Sequence, residues 1–347
     1  MLLFINQMSH SSKYILSIES SCDDTAAAVL RDRQVLSNCI ANQEIHTTYG
    51  GVVPELASRA HQSNIVPVVE QAIAYANIDK NQLSAIAFTQ GPGLLGSLLV
   101  GNAFAKSMSL ALGIPLLEIN HMQAHLLAHF IESPKIIPPD FPFLGITLSG
   151  GHTQIVLVED YFKMKVVGTT LDDAIGEAFD KCGKLMGLPY PAGPELDRLA
   201  ANGDPLRFPF PVPKAPDFNV SYSGLKTAFI NFVHKEKQKK DSFITDNLND
   251  LCASLQHTLI KVILKKVALA VDHFKINRVV IGGGVSANSE IRKQLLENSK
   301  NKGWMVHLPP FEFTTDNAAM IGIAGYFKLI KKNFANLEST AQARLKF

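Results

Sequence analysis

The feature that most constrains this chain is a strand–turn–strand opening that occurs twice. Residues 14–19 form a strand rich in branched side chains, and after the polar turn 20–24 a second strand, 25–30, follows almost at once. Residues 143–148 repeat the arrangement through Ser149-Gly150-Gly151-His152-Thr153 into a strand at 154–158. Identity between the two copies is too low for a sequence repeat, but two such openings imply duplicated halves.

Elsewhere strands alternate with amphipathic helices, the pattern of α/β layers. A strand at 83–89 enters Gly91-Pro92-Gly93-Leu94-Leu95-Gly96 and an apolar helix that ends near Gly113. Helices are expected at 172–186, 195–202 and 251–274, with 208–216 as a Pro-rich surface connection. A strand at 278–281 then leads into Gly282-Gly283-Gly284-Val285-Ser286-Ala287-Asn288. At 347 residues and 46% hydrophobic, the chain exceeds the usual size of a single core. The rigid piece Pro138-Pro139-Asp140-Phe141-Pro142 places the boundary between two lobes. The expected division is an N-terminal lobe, 13–140, and a C-terminal lobe, 141–317, with a helical insertion over 170–240. A C-terminal helix over 318–347 would pack back on the first lobe.

A formal net charge of +2 suits a local nucleic-acid patch and a metabolic enzyme equally. The lysine runs at 235–240 and 331–332 read as solvated helix faces. Cys22, Cys39, Cys182 and Cys252 form no C-x-x-C pair, so neither a zinc ribbon nor a thioredoxin-like motif is written in them. The apolar run 1–5 is too short for a signal peptide, and no later stretch is expected to reach the length of a membrane span. These features predict a soluble cytoplasmic protein.

His121, His125 and His129 recur every fourth residue, so a helix would set them along one face, where two imidazoles a turn apart can share a metal ion. Met122 stands where an H-E-x-x-H protease needs its glutamate, which sets that class aside. His129 lies outside the expected ligand set. Asp316, in Thr314-Thr315-Asp316-Asn317-Ala318, is a further ligand or the N-cap of a C-terminal helix. Three glycine turns, 91–96, 149–153 and 282–288, offer backbone N–H groups to phosphate. The first also matches the dinucleotide fingerprint, with Glu118 about the expected distance onward, so an NAD-dependent dehydrogenase is a rival reading. That turn, however, follows two earlier strands, and the rival explains neither the histidines nor the second lobe's glycine loops.

Together these residues resemble the tRNA N6-adenosine threonylcarbamoyltransferases of the bacterial and organellar type (TsaD-like), from Ile15 to about Lys328. The resemblance runs through Glu19-Ser-Ser-Cys-Asp-Asp-Thr25, Gly50-Gly-Val-Val-Pro-Glu-Leu-Ala-Ser-Arg-Ala-His61, Gly91-Pro-Gly-Leu-Leu-Gly-Ser-Leu-Leu-Val-Gly101 and His121-Met-Gln-Ala-His125. It continues in Ser149-Gly-Gly-His-Thr153, Gly176-Glu-Ala-Phe-Asp-Lys181, Tyr190-Pro-Ala-Gly-Pro-Glu-Leu-Asp197, Ser221-Tyr-Ser-Gly-Leu-Lys-Thr227, Gly282-Gly-Gly-Val-Ser-Ala-Asn288 and Thr315-Asp-Asn317.

The resemblance implies the two-lobed fold of actin, sugar kinases and the Hsp70 ATPase, with duplicated ribonuclease-H-like lobes. It implies transfer of the threonylcarbamoyl group from threonylcarbamoyl-adenylate to N6 of the adenosine beside the anticodon, with release of AMP. His121, His125 and Asp316 would bind one divalent metal ion, iron(II) or zinc(II). Thr147, Leu148, Ser149, Gly150, Gly151, Asp180, Gly193, Asp197 and Asn288 would bind the adenylate, with Asp180 and Asp197 on ribose hydroxyls. Candidates for a general base are Glu19, Asp23 and Asp24. Implied partners are tRNA, a separate adenylate synthase, a degenerate paralogue (TsaB-like) pairing through the N-terminal lobe and a small ATPase (TsaE-like). Organellar relatives form homodimers instead. The family was long described as a metalloprotease, which is the competing enzyme class. The chain departs from the family at Gln123, where Glu is usual, and at Ala192, where Gly is usual and a methyl beside the nucleotide loop is expected to cost affinity.

Overall fold

The computed structural model describes residues 12–43, 46 and 49–347. The apolar run 1–5 lies outside them. The first opening is a meander of β1 (Tyr14–Glu19), β2 (Thr25–Arg31) and β3 (Gln34–Ala41). Then come α1 (Pro54–Tyr75), β4 (Leu83–Gly91), α2 (Leu95–Leu112), β5 (Leu116–Asn120) and the short α3 (His121–Leu127). β4 runs parallel to β1, and β5 parallel to β4, so the sheet order is β3-β2-β1-β4-β5.

The second half opens with β6 (Phe143–Leu148), β7 (Thr153–Asp160) and β8 (Lys163–Thr169). It proceeds through α4 (Ile175–Leu185), α5 (Gly193–Ala200), α6 (Ser223–Lys239) and α7 (Leu248–Phe274) to β9 (Arg278–Gly282). After α8 (Ser289–Lys302) and β10 (Met305–His307), α9 (Ala318–Ile330) closes the helical part. Its sheet is ordered β10-β9-β6-β7-β8, the first sheet's connectivity again. The duplication is therefore one of topology. β6 is buried at every position and β1 at all but its first, as central strands covered on both faces must be. The edge strands β3 and β8 alternate or stay partly exposed.

Three apolar clusters hold the layers. One packs α1 and α2 on the outer face of the first sheet, and another packs α4 to α7 on the outer face of the second. The third lies between the sheets, where Ala85, Ala87 and Leu117 meet Phe143, Val156 and Val280 through α3 and α9. α9 carries nine buried residues among its thirteen, as an all-round apolar helix between layers should. Because α3 and the start of α9 share this middle layer, residues at their N-termini converge.

Four features differ from expectation. The helix expected over 318–347 stops at Ile330, where Lys332 adopts φ 53° and turns the chain away. The remainder is a strap across the ends of β4 and β5: Ala335 N–H donates to Leu116 C=O (2.8 Å), Gln342 N–H to Gln90 C=O (2.8 Å), and the Asn120 side-chain amide to Lys346 C=O (2.8 Å). α4 begins at Ile175, not 172, because Asp172 is occupied by the backbone N–H groups of Tyr222 and Ser223 and Asp173 by Lys181 and Lys226. α5 and α7 start two and three residues earlier than expected, at Gly193 and Leu248. α2, finally, is long and apolar enough to cross a membrane by length and composition, against expectation, although it lies on the sheet with Leu98, Gly101 and Ala105 buried.

Candidate active site

Asn120 ends β5 and caps α3, its Oδ1 accepting from the N–H groups of Met122 (2.9 Å) and Gln123 (3.2 Å). The cap starts the helix at His121, so His125 follows one turn later on the same face. The two rings meet edge to face with centroids 4.7 Å apart. Asp316 reaches them from the opposite element. Both roles were open for it, and the structure assigns the cap of α9 to its neighbour: Asn317 Oδ1 accepts from Met320 N–H at 3.0 Å. The Asp316 carboxylate is thus left for the histidines, with Oδ1 3.3 Å from both Nε2 atoms, which are 3.2 Å from each other.

These donors fit a metal ion. Their triangle has edges of 3.2 and 3.3 Å, and a tetrahedral ion with bonds of about 2.0 Å requires edges of about 3.3 Å. Two imidazole nitrogens directed at each other and at a carboxylate also suit a shared cation better than any sharing of protons. Behind His121, Glu19 Oε2 accepts from Nδ1–H at 3.0 Å, which turns the Nε2 lone pair toward the cluster. Glu19 is itself held by Thr89 Oγ1–H (2.6 Å) and Ser21 N–H (2.5 Å) and is 1% exposed. This general-base candidate is therefore spent on orienting His121.

The electrostatics follow from this packing. Burial pulls the His121 imidazole down, but Glu19 and Asp316 outweigh it and hold it well above its ordinary value. Burial pushes Glu19 up, and His121 outweighs that and holds it low. Burial and the neighbouring His121 charge keep His125 low. His129 points away and donates Nε2–H to Ile281 C=O at 2.8 Å; burial pulls it down to about 4, so it is a neutral structural residue. Asp23 and Asp24 stay partly exposed in the β1–β2 turn, and burial with the charges of Asp23 and Asp316 pushes Asp24 up to about 7.

The three glycine turns part company. A side chain on Gly91 would collide with the backbone of Gln342 in the strap, and one on Gly93 with the backbone of Ser21. This turn is filled by the protein's own chain, which removes it as a phosphate loop and takes away the dehydrogenase fingerprint. At Gly150, Gly151, Gly193 and Gly284, by contrast, an added Cβ would meet nothing within 4 Å. These four are open backbone, as a bound nucleotide requires.

Other expected adenylate residues take varied positions. Thr147 and Leu148 are buried, with the Leu148 side chain in the core, so that Leu148 can act only through its backbone. Asp180 Oδ1 accepts from Ala192 N–H (2.7 Å) and so holds the Gly193 turn; burial raises its carboxyl. Asp197 accepts from Ser289 N–H and Oγ–H, both at 2.9 Å, which ties α5 to α8. Asn288 is fully engaged: Oδ1 caps α8 at Ile291 N–H (3.0 Å) and Nδ2 donates to Gln256 Oε1 (2.8 Å). A cavity of about 340 Å³ opens beside these residues, lined by Gln256, His257, Ser289, Glu290 and Lys293 among others. The Ala192 methyl is 1% exposed and faces Gly183, not the nucleotide loop, which corrects the expected loss of affinity.

Sequence reading missed Gln256, Ser289 and the orienting role of Glu19. It also gave no part to His152, whose imidazole is held low by burial and by the nearby His121 and His125. His152 lies within Ser149-Gly-Gly-His-Thr153, and that membership was the signal available in the sequence.

Comparison with known proteins identifies the family. Residues 34–323 match the family model described as tRNA N6-adenosine threonylcarbamoyltransferase. The chain is 60% identical over 340 residues to the protein of that name from Christiangramia forsetii, covering 98% of this chain and 100% of the relative. It is 54% identical over 330 residues to that of Riemerella anatipestifer, covering 95% and 97%. Among solved structures it resembles T. kodakarensis HypF (TM-score 0.62, 14% identity, 95% of this chain and 49% of that one). It also resembles (R)-2-hydroxyglutaryl-CoA dehydratase component A of Acidaminococcus fermentans (TM-score 0.54, 14% identity, 92% and 100%). At such identities these two bear on the fold alone, the two-lobed α/β architecture of actin-like ATPases.

Proposed function

The chain belongs to the tRNA N6-adenosine threonylcarbamoyltransferase family, and we propose that the three-donor cluster and the open glycine loops are the working parts of that activity. The enzyme is a transferase that moves the threonylcarbamoyl group from threonylcarbamoyl-adenylate to N6 of the adenosine adjacent to the anticodon, in tRNAs reading codons that begin with A. The N6 lone pair attacks the carbamoyl carbon, the bond from that carbon to the phosphate oxygen breaks, and AMP leaves with the electron pair.

His121, His125 and Asp316 would hold one divalent ion, iron(II) or zinc(II), and the equilateral donor triangle is the observation that carries this reading. Such an ion supplies Lewis-acid charge where the carbonyl and leaving phosphate become more negative. Glu19 keeps His121 in the ligating tautomer. Ser149, Gly150, Gly151, Gly193 and Gly284 bring backbone close to the adenylate, while Asp180, Asp197 and Asn288 brace the turns on either side. An activated mixed anhydride needs little help for its nucleophile, and of the general-base candidates Asp24, whose carboxyl burial raises in the metal-free chain, is the one we assign to take the N6 proton.

The four cysteines are free, which suits the cytoplasm, where tRNA is met. The chain does not itself account for making the adenylate, so a separate adenylate synthase is required. On the outer face of the first lobe, Val66, Tyr75, Leu95, Leu99 and Leu110 are about half exposed or more, which suits pairing with a degenerate paralogue (TsaB-like) and recruitment of a small ATPase (TsaE-like), or with a second copy of this chain. A turnover assay with labelled threonine, bicarbonate, ATP, the synthase, those partners and unmodified tRNA tests the activity. Label should enter tRNA; proteolysis of a substrate protein without tRNA labelling would overturn the reading.

A further inference from the structure

The segment that leads into Asp316 carries an exposed aromatic ring that the chemistry above leaves unused. Phe311 is 67% exposed and opens the turn Phe311–Phe313, which leads directly to Asp316. The Arg292 guanidinium lies over one face of the ring, 4.4 Å from its centroid. Arg292 is itself anchored: Nη1 donates to Ser286 C=O (3.1 Å) and Nη2 to Pro309 C=O (3.0 Å). Ser286 belongs to the 282–288 loop and Pro309 stands two residues before Phe311, so one guanidinium fastens the ring to that loop, which we assign to the adenylate. Phe313 is 6% exposed in the core between the sheets and pins the other end of the turn. The neighbouring Glu312 carboxylate is paired with Lys135 at 3.4 Å, which tempers its repulsion of a phosphate backbone.

Single exposed apolar side chains are ordinary on protein surfaces. This one has an anchored cation against one face, two thirds of its surface exposed, and a place five residues from a proposed metal ligand. We propose that Phe311 is a stacking platform for a base of the tRNA anticodon loop, one of the two flanking the target adenosine. The inference rests on the proposed activity. For N6 to reach the adenylate the adenosine must leave its stack, which strips a neighbouring base of its partner, and single-stranded RNA is commonly held by aromatic faces and guanidinium planes.

The test measures binding of an unmodified anticodon stem–loop by fluorescence anisotropy, and steady-state transfer to tRNA with the full-length, metal-loaded chain and its partner proteins. Phe311→Ala should raise the stem–loop Kd and the tRNA KM about 5- to 150-fold, the span of losing one base stack, with kcat at saturating tRNA and metal content unchanged. Phe311→Trp should restore both. Replacing each flanking nucleotide in turn by an abasic one should, for one of them, abolish the difference between Phe311→Ala and the parent. Kd and KM within twofold of the parent in Phe311→Ala would overturn the proposal, as would a defect confined to binding of a partner protein. Failure of the parent to transfer at all would instead count against the proposed function, since the binding arm reads stacking without turnover.

Discussion

Gly282 ends β9 against the back of α3, and replacing it by Ala probes whether that contact sets the position of His125. An added Cβ would lie 2.8 Å from the His125 carbonyl oxygen, 3.1 Å from its carbonyl carbon and 3.2 Å from its Cβ. Unstrained contacts of this kind lie near 3.5 Å or beyond, so the backbone must give by roughly 0.3 to 0.7 Å. A metal site tolerates ligand displacements of about 0.2 Å, and His125 is 1% exposed between Ala124 and Leu126, both buried in the middle layer. We therefore expect Gly282→Ala to lower metal affinity about 10- to 100-fold, as loss of a supporting residue does, and folding stability by about 1–3 kcal/mol through overpacking. Gly284→Ala is the control, because a Cβ there meets nothing within 4 Å; it should leave the metal in place and weaken adenylate binding. Competition against a chromophoric chelator measures metal affinity, and urea unfolding of the metal-free chains measures stability. Parent-like metal affinity in Gly282→Ala, or an equal loss in Gly284→Ala, would refute the reasoning that β9 positions His125.

Two further outcomes are expected. Gly183→Ala would drive a methyl into that of Ala192 and should cost about 1–3 kcal/mol in urea unfolding, whereas Gly183→Ala with Ala192→Gly should recover most of it; additive losses would show that the two positions do not share one space. Asp24, raised to about 7, keeps its proton in the folded state over a range where the unfolded chain, titrating near about 4, has lost it. The Asp24 contribution to the stability of the metal-free chain should therefore fall as pH rises from about 4 to about 7 and level off above that, opposite in sign to the contribution of the depressed histidines. In Asp24→Asn this component disappears, and identical pH slopes in the two chains would contradict it.

Much of the architecture was legible because burial leaves period-specific marks. The continuous apolar runs 14–19 and 143–148 read as central strands, and they are β1 and β6. The spacing of His121 and His125 showed a shared helical face, although it could not show what completed the set. Asp316 and Asn317 are both good caps, and only the fold reveals that Asn317 takes the helix and frees its neighbour. The Gly91 turn misled for a related reason: its pattern is the same whether a nucleotide or the protein's own chain covers it. The covering strap, 331–347, carries no hydrophobic period; backbone hydrogen bonds that any side chain permits hold it at Ala335 and Gln342, and Ser339 adds side-chain bonds to Gln90 and Glu118 that no spacing announces. Glu19 likewise reads as the end of a strand until His121, far along the chain, is seen against it at 3.0 Å. Such pairings join residues of different elements, and spacing within one segment carries no trace of them.

The central claim is that His121, His125 and Asp316 hold a metal ion on which transfer depends. Its most direct test is the metal content and single-turnover transfer of purified His121→Ala, supplied with threonylcarbamoyl-adenylate and tRNA and checked for a native circular dichroism spectrum. We expect a folded protein that retains little metal and transfers at a small fraction of the parent rate. A folded His121→Ala chain with one equivalent of metal and parent-like transfer would contradict it.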